Sequence, residues 1–192
     1  MKNRIGITLL LVSVLAIIVA AVSIPATLAK SDKVRVLEFD VSEDMSRFVF
    51  DQDVAFEDGM PAHGSTFVTQ GYIYEAGTLT DSNGTLPDGS PEFPDKVIGQ
   101  WTCRGVFVGD GAHAESGAWV ITTQLLNFGG MLGVNTLVTE GYEIADFNQL
   151  ITRAITGGTG EYANARGEGH QELLGFNASE GVNLRFSLEI SQ

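Results

Sequence analysis

Residues 155–170 read ITGGTGEYANARGEGH, and this stretch constrains the fold more than any other part of the chain. Its clustered glycines can adopt positive φ angles that are costly for other residues. A β-rich segment runs into these glycines, and a second strand is expected to leave through Tyr162 and Arg166. The pattern therefore predicts a tight hairpin corner between two antiparallel strands.

Strand-like patterns recur along the rest of the chain, with no convincing long helix. Residues 182–190, VNLRFSLEI, alternate apolar and polar side chains, which is typical of a strand with one buried and one wet face. We predict seven further strands from β-branched and aromatic residues between Gly, Asn or Asp breaks: 34–41, 66–75, 97–108, 118–127, 132–142, 149–156 and 167–174. Residues 42–64, with a short edge strand at 48–54, and residues 77–95 are predicted to be long loops.

About eight successive strands without intervening helices indicate an all-β fold, either a sandwich or a closed antiparallel β-barrel. Barrel closure removes both exposed edges, but the pattern alone does not decide between the two architectures. Residues 30–192 are of the size of one such domain.

The first 29 residues have the pattern of a targeting segment. Lys2 and Arg4 precede an apolar run at 5–24, and small residues follow near Ala29. A cleaved signal peptide and an uncleaved membrane-anchor helix both fit, because the run approaches the length that spans a bilayer. Either alternative predicts a secreted or envelope location outside the cytoplasm.

The remaining domain is strongly acidic, with nine basic against 24 acidic residues and a formal charge near −15. Such a charge repels phosphates, so we expect no nucleic-acid partner and no membrane contact except through the N-terminal segment. The single cysteine, Cys103, forms no intramolecular disulfide. A lone thiol is buried and inert, paired between chains, or reactive, and we expect the buried thiol.

The corner motif ITGGTGxYxxARG resembles the corresponding corner of the allene oxide cyclase and dirigent protein superfamily, and the likeness extends over residues 140–190. The resemblance implies a closed antiparallel β-barrel rather than a sandwich. It also implies a homo-oligomer, since such proteins are commonly trimers.

The first strand carries two candidate catalytic carboxylates, Glu38 and Asp40, within the sequence LEFD. They share one face of the strand, and either face could line the lumen because both are partly apolar. If the two carboxyls are buried together in the lumen, their pKa values are raised, as general acid–base catalysis near neutral pH requires. The alternative is that the pair lies on the outer face and is exposed to water. The resemblance places Glu38 on a lumen-facing glutamate of the plant cyclases, while Asp40 replaces their asparagine.

Aromatic strand residues are the candidate ligand-binding positions. Tyr72 and Tyr74 share one face of their strand, and Trp101 and Cys103 share a face of the next. An aromatic lumen with a few polar groups suits a small apolar ligand, whereas ordinary core packing explains the same residues. The resemblance implies a lumen-facing cysteine near Cys103, displaced by two residues from the family position.

The sequence contains no nucleotide, nucleophile-elbow or metal-protease motif, and we expect no cofactor and no metal. Two functions remain. The first is a dirigent-like barrel that binds or steers a small apolar molecule without catalytic machinery of its own. The alternative is a cofactor-free isomerase or cyclase acting on an oxygenated lipid, in which Glu38 polarises or deprotonates the substrate and Asp40 holds an oxygen.

Overall fold

The computed structural model describes residues 34–192, so the predicted signal peptide or anchor at residues 1–29 lies outside the described part. Its regular secondary structure is almost entirely β-sheet. Its eight strands are β1 Arg35–Phe50, β2 Thr66–Glu75, β3 Val97–Phe107, β4 Ala118–Phe128, β5 Asn135–Ile144, β6 Leu150–Gly158, β7 Arg166–Phe176 and β8 Val182–Ser191. Short 3-10 turns lie at Pro94–Lys96, Gly111–His113 and Gly160–Tyr162. Within residues 34–192, no helix is long and apolar enough to cross a membrane.

The strands form one closed barrel in which each strand pairs antiparallel with its neighbour in the chain. Closure comes from β1 and β8, which pair from Arg35 opposite Ile190 to Ser42 opposite Asn183. The predicted closed antiparallel barrel of about eight strands is therefore confirmed. The sandwich alternative is wrong, because no strand of the described part is left with a free edge along the barrel wall.

The first strand is longer than the sequence predicts. Residues 42–50, assigned above mostly to an acidic loop, continue β1 and pair with β2, first up to Asp44 opposite Gln70 and again from Val49 opposite Val68. A break in register then separates Asp44 from Val49. The acidic composition was misleading because Asp44 accepts hydrogen bonds from the Ser46 backbone and hydroxyl, while Glu43 turns into the barrel.

The glycine corner forms where it was predicted but is wider. Strand β6 ends at Gly158 and β7 begins only at Arg166, so Tyr162 lies in the intervening turn and not on a strand. Gly160 has a φ of +58° and packs directly against the backbone carbonyl of Val134, where a Cβ atom has no room. The corner is thus fixed by a positive φ and a close backbone approach that only glycine satisfies.

The two ends of the barrel differ in their filling. We call the end where β1 begins and β8 ends the packed end. There the Phe39 ring stacks on Phe186 with centroids 4.9 Å apart and meets Phe128 edge-on at 5.4 Å. An eight-stranded barrel is just wide enough to be filled by side chains in this way. Further members of this core are Ile73, Leu126, Leu137, Leu184, Leu188 and Ile190.

The opposite end, which we call the open end, carries the loops that join β1 to β2, β3 to β4, β5 to β6 and β7 to β8. Its interior is lined by polar and charged side chains below a ring of aromatic ones. The buried polar side chains on the inward-facing positions are Glu43, Thr69, Thr122, Gln124, Thr139, Glu143, Arg153 and Gln171. A buried polar group is costly unless it is hydrogen-bonded, so a cluster of such groups at this end of the lumen indicates a functional site.

Candidate ligand site at the open end of the barrel

The open end begins with a cleft of about 350 Å³, which we call the vestibule. This volume falls at the lower end of the range of small-molecule sites. Its walls are apolar and come from the end of β1, the loop after it, and the ends of β3 and β7: Met45, Phe48, Phe50, Met60, Phe107 and Phe176. Several of these side chains are exposed at the mouth, so the vestibule presents an apolar surface to solvent.

Below the vestibule lies an inner cavity of about 50 Å³, enough for a water molecule or one small polar group. The two spaces share five lining residues: Glu43, Phe48, Phe107, Trp119 and Val182. The deeper wall adds Thr69, Trp101, Cys103 and Glu143. An apolar entrance therefore leads to a small polar floor.

Trp119 reaches the cavity because β4 contains a bulge. Ala118 pairs with Ile144 and Val120 pairs with Glu143, which leaves Trp119 as an extra residue without a partner on β5. A bulge of this kind redirects a side chain that regular alternation would point outward. Trp119 consequently lines both the cavity and the vestibule, with its ring edge-on to Phe107 at 6.3 Å.

The carboxylate of Glu143 is the centre of a buried hydrogen-bond network. Its Oε1 accepts from Thr122 Oγ1 at 2.6 Å and from Gln124 Nε2 at 2.8 Å, and its Oε2 accepts from Gln171 Nε2 at 3.1 Å. These donors stand on β4 and β7, on either side of the lumen from one another. The network fixes the position of Glu143 while one edge of its side chain still borders the cavity.

Arg153 supplies the positive charge beneath this network. Only 1% of the residue is exposed, and its Nη1 lies 3.7 Å from Glu143 Oε1. Its guanidinium donates to Thr139 Oγ1, to the Tyr142 carbonyl, and to both oxygens of Thr122. A buried arginine is tolerated only when its donors are satisfied in this manner, so Arg153 and Glu143 depend on each other.

Glu43 is the second carboxyl at the cavity. Burial raises its pKa above the usual value, and the neighbouring Glu143 and Asp44 carboxylates add to the increase. One hydrogen bond opposes this effect, from the Val182 backbone N–H to Glu43 Oε2 at 2.9 Å. Thr69 also lines the cavity, but its Oγ1 forms no hydrogen bond with this carboxyl.

Cys103 is buried in the wall of the same cavity, as the sequence predicts. Its Sγ lies 4.0 Å from Glu143 Oε1. Burial, and secondarily the Glu143 carboxylate, raise the pKa of this thiol well above its usual value. The group is therefore a neutral, weakly nucleophilic wall of the cavity.

Glu38 and Asp40 lie on the outer face of the barrel, because the alternate residues Phe39 and Val41 belong to the core. The lumen-facing alternative for this pair is wrong. Glu38 is exposed, whereas Asp40 is covered by the loop after β2 and accepts from the Leu79 N–H and from Arg185 Nε, each at 2.9 Å. A catalytic role for the pair remains only a prediction, and Asp40 has a clear structural role in docking the loop.

The four predicted ligand residues are divided between the two faces of the wall. Trp101 and Cys103 line the cavity together. Tyr72 and Tyr74 point to the outer side, where their hydroxyls donate to the carbonyls of Gly89 and Gly84 in the covering loop. Burial raises the pKa of Tyr74 to about 12. The tyrosines therefore hold the loop against the barrel and do not reach the lumen.

Sequence reasoning missed Glu43, Glu143 and Arg153, although each had a signal. Glu43 continues the inward face of Phe39 and Val41, and Arg153 stands between Ile151 and Ile155 on one face of β6. A charge in an otherwise apolar face predicts a buried partner. Glu143 was lost because the predicted strand ended one residue too early.

The arrangement can bind an apolar body in the vestibule and a polar group in the cavity. One carboxyl with a raised pKa and one carboxylate held by donors and an arginine also have the chemistry of an acid–base pair. Among residues 34–192, no group of three or more His, Cys, Asp or Glu side chains is arranged to hold a metal ion.

The barrel fold is similar to that of several solved structures. Two pterocarpan synthase dirigent proteins match the chain with TM-scores of 0.60 and 0.58, at 15% and 16% identity, covering 83% and 84% of it and 96% and 91% of their own chains. A pyocyanin demethylase matches with a TM-score of 0.51 at 16% identity, over 81% of this chain and 99% of its own. No family model and no curated protein matches the sequence. Identities this low establish the shared fold alone.

Proposed function

We propose that this protein binds a small, mainly apolar molecule at the open end of the barrel and holds it in one orientation. The observation that carries the proposal is the continuous path from the apolar vestibule to the polar cavity beside Glu43 and Glu143. Apolar walls with a few convergent polar groups are the usual form of a small-molecule site. The dirigent and demethylase structures that share the fold are consistent with this use of the barrel.

The charge of the site favours a neutral ligand. Both carboxyls at the cavity are acidic, and the nearest positive group, Arg153, is already occupied by Glu143 and the carbonyls around it. An anionic ligand would be repelled by the Glu143 carboxylate as well as by the acidic domain as a whole.

A pair of methionine variants tests this site. Met60 borders the vestibule, whereas Met131 is exposed in the loop between β4 and β5 at the packed end. We expect Met60→Glu to weaken binding of 2-acetylnaphthalene by about tenfold or more, because a charge replaces an apolar wall, and Met131→Glu to leave it unchanged. The affinity can be measured by tryptophan fluorescence, since both tryptophans of the chain line the cavity. If both variants changed the affinity equally, or if the unaltered protein did not bind the ketone, the vestibule would not be the ligand site.

A second candidate function is acid–base isomerisation, and the raised pKa of Glu43 favours it. In such a reaction Glu143 takes a proton from the carbon beside a carbonyl while the Glu43 carboxyl gives its proton to the carbonyl oxygen, which forms an enol. Return of the protons to different positions isomerises the substrate and restores both groups.

Exchange of the methyl protons of 2-acetylnaphthalene in D₂O tests this candidate directly. If the pair is catalytic, the protein accelerates deuteration measured by NMR, and the rate falls as the pH rises through the raised pKa of Glu43 and its proton is lost. Glu43→Gln then abolishes the acceleration but retains binding. A rate equal to that of buffer alone would leave only the binding function.

A location outside the cytoplasm is part of the proposal and rests on the sequence of residues 1–29. An exported domain of this kind would meet its ligand in the envelope or the medium, with the ligand entering the vestibule at the open end.

A further inference from the structure

The loop between β4 and β5 forms an exposed apolar surface at the packed end of the barrel. It reads GGMLGV at residues 129–134, and we call this segment the tip. Met131 is 69% exposed, Leu132 74% and Val134 45%. The core of the packed end is complete without them, because Phe39 and its neighbours already fill the lumen there. Large apolar side chains grouped at one exposed place indicate a surface that contacts a partner.

The backbone of the tip is fixed by hydrogen bonds, while its outer side borders open space. The Gly133 N–H donates to Oδ1 of the buried Asn127 at 2.6 Å, and the Gly133 carbonyl accepts from Thr159 Oγ1 at 2.8 Å. A Cβ atom added to Gly129, Gly130 or Gly133 would meet nothing within 4 Å. Apolar groups on such a fixed loop lose little backbone entropy when a partner buries them.

The charges of the two ends favour the packed end as the one that approaches a bilayer. The loops at the open end contain eight acidic residues and no lysine or arginine, whereas the tip contains no charged residue. The exposed bases Arg35, Lys96 and Arg166 lie at the starts of β1, β3 and β7 at the packed end, where Asp95 and Glu161 offset them in part. Bilayer surfaces are neutral or negative, so they repel the open end more strongly than the packed end.

The chain also enters the barrel at the packed end. β1 begins at Arg35, and the residues before it include the apolar run at 5–24 that the sequence predicts to be a signal peptide or an anchor. Arg35 Nη1 lies 3.4 Å from Glu161 Oε2, and the Glu161 N–H donates to Oδ1 of Asn135, the residue after the tip, at 3.1 Å. An anchor formed by the N-terminal segment would therefore be attached at the end of the barrel that carries the tip.

We propose that the tip inserts into a lipid bilayer, with the side chains of Met131 and Leu132 at the boundary between headgroups and acyl chains. Apolar side chains bind a bilayer by burying their surface there, and a loop stays at this depth because its backbone groups need water. The contact is additional to the N-terminal segment, through which alone the sequence predicts contact with a membrane. It does not depend on the proposed function, and it leaves the open end facing the aqueous side.

The methyl groups of the methionines test the insertion in the full chain, labelled with ¹³C at these methyl groups and incorporated into phosphatidylcholine nanodiscs. Lipid that carries a nitroxide on its acyl chain broadens the signals of nuclei close to it. We expect strong broadening of the Met131 signal and none of the Met45 and Met60 signals, which come from the open end. An unbroadened Met131 signal, or equal broadening of all three, would overturn the inference.

Leu132→Asp distinguishes insertion from attachment, because it leaves the N-terminal segment unchanged. We expect it to shift the insertion equilibrium of the tip by about tenfold or more, since the burial of one large apolar side chain is lost and a carboxylate is costly in lipid. The broadening of Met131 should then fall to the level of Met45. Leu150→Asp is the matched control, because Leu150 is also exposed but begins β6 at the open end, and it should leave the Met131 broadening unchanged.

Two further results would overturn the inference. The first is broadening of Met131 that Leu132→Asp does not reduce, which would show that the leucine is not buried in lipid. The second is a Met131 signal that is insensitive to the nitroxide lipid but shifts when two chains share a nanodisc, which would assign the tip to a contact with a second copy of the chain.

Discussion

Replacing Arg153 by methionine is expected to lower the free energy of unfolding by about 3–5 kcal/mol, the usual cost of removing one partner of a buried ion pair. Methionine retains much of the volume of the side chain but none of its donors. The carboxylate of Glu143 would then be left in the lumen without a compensating positive charge, and the Tyr142 and Thr122 carbonyls would lose their partners. Urea denaturation followed by circular dichroism measures the change.

Arg35→Met is the matched control, because Arg35 makes an exposed ion pair with Glu161 in which both side chains are about half exposed. We expect Arg35→Met to lower the free energy of unfolding by at most about 1 kcal/mol. Adding Glu143→Gln to Arg153→Met should recover part of the lost stability by removing the unpaired charge. If Arg153→Met lowered the free energy of unfolding no more than Arg35→Met does, the polar side chains of the lumen would not form a coupled network.

Replacing Phe39 by alanine is expected to lower the free energy of unfolding by about 3–5 kcal/mol, the range found for large-to-small changes at buried aromatic positions. Phe39 has no exposed surface and packs against Phe186 and Phe128 in the centre of the packed end. The barrel wall is closed by backbone hydrogen bonds on all sides, so it cannot collapse to fill the space. The same denaturation measurement gives the stability of this variant.

Phe176→Ala is the matched control, because we expect it to affect ligand affinity and not stability. Phe176 lies at the edge of the vestibule and is 46% exposed, so its loss should change stability by less than about 1 kcal/mol but weaken binding of 2-acetylnaphthalene. Phe39→Ala should leave that affinity unchanged in the folded protein. A small stability loss in Phe39→Ala would contradict the division of the lumen into a packed and an open end.

The fold was predictable because several local signals agreed. The alternation at residues 182–190 marked β8, and the glycine corner marked the turn between β6 and β7, where Gly160 needs its positive φ. The number of strands allowed either a sandwich or a barrel, and the resemblance at the corner implied the closed barrel. The length of β1 was not predictable in this way, because Glu43 and Asp44 look like loop residues until their partners, Val182 on the neighbouring β8 and Ser46 in β1 itself, are known.

The site was only half predictable for a related reason. Strand alternation shows which residues share a face, and it correctly grouped Trp101 with Cys103 and Tyr72 with Tyr74. It does not show which face is the lumen when both are apolar, and here the outer face is apolar because a long loop covers it. The bulge that turns Trp119 inward is a feature of register between two strands, which a single sequence does not display.

The methyl groups of the methionines test most directly whether the ligand enters at the open end. Met45 and Met60 border the vestibule, whereas Met131 lies at the opposite end of the barrel. In ¹³C-methyl-labelled protein titrated with 2-acetylnaphthalene, we predict that the Met45 and Met60 signals shift with one common affinity and that the Met131 signal stays in place. Movement of Met131 alone, or of none of the three, would contradict a ligand site at the open end.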